Sequence, residues 1–254
     1  MTDVPSVLAS LAPLSQIDFA EFGEVEVSRL PRIQKLTASF LARNWVTIPH
    51  VTHHDEVDVT ELEDRRKAWN AAHPEAKLTP LSLVLKALVP VLRQYPQFNA
   101  SLTPDGNSLV LKKYIHLGVA VDTPSGLLVP VLRDVPSKSL SALTGELAAI
   151  AEKARTKGLS LPEMSGSSFT VTSLGHIGGT AFTPIINAPD LAILGMTALQ
   201  TRPAPGPDGG VIWRKMLPLS LSYDHRVING ADAARFTRAL GAALADPGLF
   251  DTAS

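Results

Sequence analysis

Leu219-Ser220-Leu221-Ser222-Tyr223-Asp224-His225-Arg226-Val227-Ile228-Asn229-Gly230-Ala231-Asp232 decides the reading of this chain. The run Val211–Tyr223 predicts one long strand. That strand delivers Asp224-His225-Arg226 to its end, and Gly230 permits a sharp entry into a final helix, Gly230–Leu244. Strand ends beside turns are where a rigid scaffold presents reactive groups. His225 there suits the role of a catalytic group. It equally suits the filling of a buried polar gap, and the residues alone leave both readings open.

A second stretch lies upstream, Phe169-Thr170-Val171-Thr172-Ser173-Leu174-Gly175-His176-Ile177-Gly178-Gly179. It predicts a strand over Ser168–Leu174, followed by a glycine-rich bend at Gly175–Gly179. Hydroxyls at a strand end beside close glycines can donate to a developing oxyanion. A threonine chosen for its branched side chain, followed by a turn, is the plainer alternative. Gly178-Gly179 lacks the spacing of a dinucleotide-binding loop.

Outward from these stretches the chain alternates helices and strands. Ile33, Leu36, Phe40 and Leu41 recur at three and four, which predicts a helix over Arg29–Trp45 closed by Pro49. His50–Val59 alternates and predicts a half-buried strand. Thr60 and Glu63 stand at the spacing of a capping box for a helix running to Ala72. Thr79–Gln94 reads as a buried helix. Leu109–Lys112, His116–Asp122 and Leu127–Val131 read as short strands between turn signals, Leu140–Lys157 as an amphipathic helix stopped by Gly158, and Leu191–Met196 as an apolar strand. Residues 1–20 read as an extended arm without clean period, and 21–254 as one domain of the α/β or α+β class.

Composition narrows the chemistry. The 254 residues carry 23 Lys+Arg, 24 Asp+Glu and no cysteine, for a formal charge of −1. Cysteine-based nucleophiles, zinc–thiolate sites and disulfide scaffolds are excluded. The near-neutral balance lacks the footprint of a general nucleic-acid binder. No basic, apolar signal segment opens the chain and no long apolar run spans a membrane, so a cytoplasmic protein is expected.

The two informative stretches belong to a wider pattern. Asp224-His225-Arg226-Val227-Ile228-Asn229-Gly230 resembles the histidine motif of the dihydrolipoamide acyltransferases, the transferase components of 2-oxo acid dehydrogenase complexes. Further blocks of the resemblance are Ile48-Pro49-His50-Val51-Thr52, Asp58-Val59-Thr60-Glu61-Leu62, Phe98-Asn99-Ala100-Ser101-Leu102, the run from Asp122 to Val131, and the run from Gly178 to Pro189. They follow the family's order from about residue 18 to residue 250. The blocks around His176 and His225 are most similar to bacterial pyruvate dehydrogenase acetyltransferases.

The resemblance implies an α/β fold, a mixed sheet flanked by helices, like that of chloramphenicol acetyltransferase and trimer-forming. It implies acyl transfer between dihydrolipoamide and coenzyme A. His225 matches the general base, and a base of this kind contributes roughly 10²–10⁴ in rate. Thr172 matches the oxyanion donor, with Ser173 as the adjacent hydroxyl. Asn229 departs from the more common aspartate: it keeps size and hydrogen bonding but excludes a salt bridge. Arg66 matches an arginine for a coenzyme A phosphate, and Thr79, Asp122, His176 and Thr197 match positions lining the coenzyme A channel. The implied partners are two further copies in a homotrimer, a larger cubic assembly of trimers, and a lipoyl-lysine supplied in trans by the lipoyl domain of another chain. No metal is implied. The polar ending Asp251-Thr252-Ala253-Ser254 is not the aliphatic tip expected of the larger assemblies. Two other readings stay open: a weakly catalytic scaffold homologue, and a free-standing coenzyme A acyltransferase with a different acceptor.

Overall fold

A computed structural model describes residues 16–124 and 126–250. Among these the chain forms five α-helices and eleven strands. In chain order they are α1 (Arg32–Thr47), β1 (His50–Asp58), α2 (Thr60–Ala72), α3 (Pro80–Gln94), β2 (Ala100–Leu102), β3 (Leu109–Leu111), β4 (Leu117–Val119), β5 (Val121–Thr123), β6 (Gly126–Leu128), β7 (Val131–Leu132), α4 (Leu140–Thr156), β8 (Phe169–Ser173), β9 (Ala192–Met196), β10 (Gln200–Pro205), β11 (Val211–Asp224) and α5 (Gly230–Ala245). The expected arm over 1–20 falls mostly outside the described residues, as does the ending 251–254. Residues Phe19–Phe22 form a single 3₁₀ turn.

Local chemistry sets the ends of these elements. Thr79 caps α3, its Oγ1 accepting from Ser82 N at 3.1 Å, and Pro80 occupies a first position that needs no donor. α4 ends before Gly158, whose φ of 74° favours glycine. The cap of α2 differs from the expected Thr60–Glu63 box. Asp58 supplies it, accepting from Thr60 N at 2.9 Å and from Thr60 Oγ1 at 2.6 Å. Thr60 Oγ1 in turn accepts from Lys215 N at 2.8 Å, which ties α2 to β11. Glu63 turns inward to Arg66 instead.

Two predicted strands divide. His116–Asp122 splits at Ala120 into β4 and β5, and Leu127–Val131 splits into β6 and β7. Pro130 cannot donate to a ladder, so β5 and β6 leave as a separate hairpin while β4 and β7 stay paired. β10 goes unpredicted because Pro203 and Pro205 argue against a strand. It is an edge strand, where the missing N–H groups cost little.

The main sheet runs β1-β11-β9-β8-β4-β7, with β10 paired to β11. The pairs β4–β8 and β8–β9 are parallel, and β1–β11, β9–β11 and β4–β7 are antiparallel. Strand alternation sends Phe169, Val171, Leu194, Leu219, Leu221 and Tyr223 into one core shared with α3, α4 and α5. Phe236 of α5 stacks on Phe98 at 4.2 Å and on Phe169 at 5.8 Å between ring centroids. α3 is buried nearly all round, and truncating a fully buried side chain such as Leu88 to alanine costs about 2–5 kcal/mol. The opposite face is mixed: Thr52 pairs with Ser222 and His54 with Ser220, while Ile193 packs with Ile48 and Ile186. Phe182 lies flat on this face at Gly195, where a β-carbon would come within 2.5 Å of the ring. Leu249 is buried and Phe250 packs beside it, so both belong to the chain's own core. No helix among the described residues is long and apolar enough to cross a membrane.

Candidate active site

The predicted delivery of His225 by a long strand is what the structure shows. β11 ends at Asp224, whose carbonyl accepts from Val227 N and Ile228 N at 3.1 and 3.0 Å and closes a turn. His225 sits exposed on that turn, its N–H donating to Pro49 O at 3.1 Å. Its ring lies 5.8 Å from Tyr223 between centroids. Its ring nitrogens make no hydrogen bond among the described residues, so the buried-gap alternative does not apply. The buried Asp224 carboxylate binds Arg226 through Nε at 2.9 Å and Nη2 at 2.6 Å, which raises the Arg226 pKa further above its ordinary value. Asn229, four residues on from His225, caps α5, its Oδ1 accepting from Asp232 N at 2.9 Å.

Thr172 and Ser173 lie at the far end of β8 and line a cleft of about 1100 Å³. Thr79, Asp122, His176 and Thr197 line the same cleft, so four of the five positions matched to a coenzyme A channel come together with both hydroxyls. The two hydroxyls differ. Ser173 Oγ accepts from Gly175 N at 3.2 Å and organises the bend. The Thr172 hydroxyl makes no hydrogen bond among the described residues and is available to a ligand.

Arg66 is the fifth, and the structure places it elsewhere. Its Nε and Nη2 both bind Glu63 at 2.8 Å and its Nη1 donates to Leu78 O at 3.2 Å. Glu63 is buried and raises the Arg66 pKa, so this guanidinium is consumed in holding α2 to the segment before α3. The cations that do line the cleft are Lys77 and Arg155, neither ion-paired among the described residues. A single cation before a capping threonine, or on the polar face of α4, gives no signal in sequence. Asp224 and Arg226 did leave one: opposite charges bracketing the histidine.

His225 and Thr172 do not meet within one chain. Thr172 pairs with Gly195, which pairs with Ser220 of β11. His225 lies five residues further along β11, toward the opposite end of the sheet. At roughly 3.4 Å per residue and 4.8 Å per strand, their α-carbons stand about 20 Å apart.

The mixed sheet thus carries a histidine-bearing turn at one end and a hydroxyl-lined cleft at the other. Residues 22–250 match the model of the 2-oxoacid dehydrogenases acyltransferase family, catalytic domain, and the chain belongs to that family. It is 53% identical over 241 residues to the dihydrolipoyllysine-residue acetyltransferase component of the pyruvate dehydrogenase complex of Pseudomonas aeruginosa, covering 94% of this chain and 44% of that protein. The corresponding component of Azotobacter vinelandii is 54% identical over 233 residues, covering 91% of this chain and 36% of that protein. The chain thus spans less than half the length of these relatives. Among solved structures, the A. vinelandii dihydrolipoamide acetyltransferase, studied for the role of a serine, a histidine and an asparagine in its mechanism, superposes with a TM-score of 0.90 at 51% identity, covering 94% of this chain and 98% of that one. The cubic core of the pyruvate dehydrogenase multienzyme complex superposes equally well, at 0.90 and 52% identity over the same shares. Chloramphenicol acetyltransferase, at 15% identity and 0.54 over 80% of this chain and 94% of that one, shares the fold.

Proposed function

We propose that this chain transfers an acyl group, acetyl in the first instance, between dihydrolipoamide and coenzyme A. His225 takes the proton from the incoming thiol. The thiolate attacks the thioester carbonyl, and the tetrahedral oxyanion accepts a hydrogen bond from Thr172. Collapse expels the second sulfur as a thiolate, which recovers the proton from the imidazolium. One C–S bond forms, one breaks, and both reacting thiols belong to substrates.

The observation that carries this reading is the separation of His225 from Thr172. A base and an oxyanion donor about 20 Å apart act on one carbonyl only when different chains supply them. A closed ring of identical chains, each offering its His225 end to its neighbour's Thr172 end, builds a complete site at every interface. We assign a homotrimer. Coenzyme A takes the cleft, its phosphates toward Lys77 and Arg155, and lipoyl-lysine arrives from another chain. We also propose a cytoplasmic location, which the bacterial pyruvate dehydrogenase relatives support.

The A. vinelandii relative supports the assignment in part. Its histidine and asparagine are four positions apart, as are His225 and Asn229. Its serine precedes the histidine by 52 positions, the spacing of Ser173 here, with Thr172 one further. The β10–β11 hairpin lies in that span and absorbs a residue readily. The unengaged hydroxyl favours Thr172.

Exchange of the acetyl group between acetyl-coenzyme A and free dihydrolipoamide is the direct assay. Turnover that depends on His225 is expected. Absence of exchange in the unaltered, assembled protein overturns the reading and leaves the scaffold alternative.

A further inference from the structure

The mechanism gives no task to Asp224 and Arg226, the residues on either side of His225. We propose that their ion pair is a positioning device for His225: it fixes the turn that presents the imidazole and holds a neutralised carboxylate beside it. The inference rests on the acyl-transfer reading.

The pair has an unusual span. The Asp224 side chain is 1% exposed and that of Arg226 45%. The carboxylate accepts from Arg226 N at 3.0 Å, from Nε at 2.9 and 3.1 Å, and from Nη2 at 2.6 Å. Among the described residues, every hydrogen bond to this buried carboxylate comes from one residue, two positions away. Arg66, whose carboxylate partner lies on its own helix, also reaches out to Leu78 O, whereas the Asp224–Arg226 pair encloses only His225. The backbone is held at the same place by Asp224 N to Leu191 O at 2.9 Å and His225 N to Pro49 O at 3.1 Å. With both flanks fixed, the imidazole has little freedom beyond its own torsions, which is what a base reaching into a neighbouring chain requires.

Other ionisable groups surround the turn. Arg43 of α1 and Asp190 line a cavity of about 240 Å³ with Asp224 and Arg226. Lys112 lies 3.6 Å from Asp190. His50 of β1 stands opposite Asp224, its ring nitrogens held by Ile48 O and Ile186 N. Asp232 and Arg235 pair on the first turn of α5. The substitutions below leave all of these in place.

The test is the pH profile of kcat/KM for acetyl exchange in the assembled protein. Arg226→Met leaves a buried carboxylate uncompensated beside the imidazole, favours the imidazolium, and moves the acidic limb up by about one pH unit. Asp224→Asn leaves the guanidinium uncompensated and moves the limb down. Arg226→Lys keeps the charge but loses the two-pronged geometry, so kcat falls, by up to about a hundredfold, while the limb stays. Shifts of opposite sign support the proposal. An unmoved limb in Arg226→Met or in a folded Asp224→Asn, or shifts of the same sign in these two, overturns it. If Asp224→Asn does not fold, the two Arg226 variants decide alone, because their side chain is half exposed. Failure of the unaltered protein to exchange acetyl groups sinks the acyl-transfer reading instead, so the two failures are distinguishable.

Discussion

The turn that carries His225 and the cleft that carries Thr172 grow from the same sheet by opposite means. The turn is small, exposed and over-determined: two backbone hydrogen bonds, a helix cap and a half-buried ion pair fix a handful of residues. The cleft is large and assembled from distant parts of the chain, with Thr79, Asp122, Thr172, His176 and Thr197 drawn together by the fold. A base must point a few atoms with accuracy, whereas a cleft for a long substrate needs length and a free hydroxyl at its inner end. The same sheet keeps them about 20 Å apart, and on the proposed function each chain therefore holds two halves of different sites.

Substitutions sharpen this comparison. His225→Ala is expected to have the largest effect, a loss of roughly 10²–10⁴ in kcat for acetyl exchange, with thermal stability unchanged because the ring is exposed. Thr172→Val, which keeps shape and removes the donor, is expected to lose on the order of 10²–10³ in kcat with little change in KM for coenzyme A. Arg66→Met is expected to act on stability. It leaves buried Glu63 without its partner, at a cost of about 3 kcal/mol seen as a lower Tm or denaturation midpoint. A rise in KM for coenzyme A without loss of stability would return Arg66 to the cleft. Ser173→Ala is expected to do least: it removes one local hydrogen bond, about 1 kcal/mol, and leaves kcat within a few-fold. A larger loss from Ser173→Ala than from Thr172→Val would exchange their roles.

The two regions were not equally legible. The turn is a local matter: strand, histidine, cap and glycine follow one another, so residues 219–232 contain nearly the whole of it. The ion pair around His225 is also local, yet without coordinates Asp224 and Arg226 are only two charges. The cleft depends on long-range packing. Thr79 and Thr172 enter the reading only through family resemblance, because nothing in their spacing places a capping residue against a strand end. Arg66 shows the limit of that transfer. Its position on α2 matches the family, but Glu63 three residues earlier pairs with the guanidinium and holds it away from the cleft lining. β10 is missed for a different reason, since prolines that exclude a central strand are tolerated at an edge.

Complementation tests the central claim that the two halves work only across chains. The His225→Ala and Thr172→Val chains, each inactive alone, are dissociated, mixed in equal amounts and allowed to reassemble. Interfaces that join a Thr172→Val chain's intact His225 to a His225→Ala chain's intact Thr172 are complete, and random assembly makes about a quarter of all interfaces so. Recovery of acetyl exchange to about that fraction of the unaltered protein is the predicted result. A mixed assembly no more active than its two parents would contradict the account.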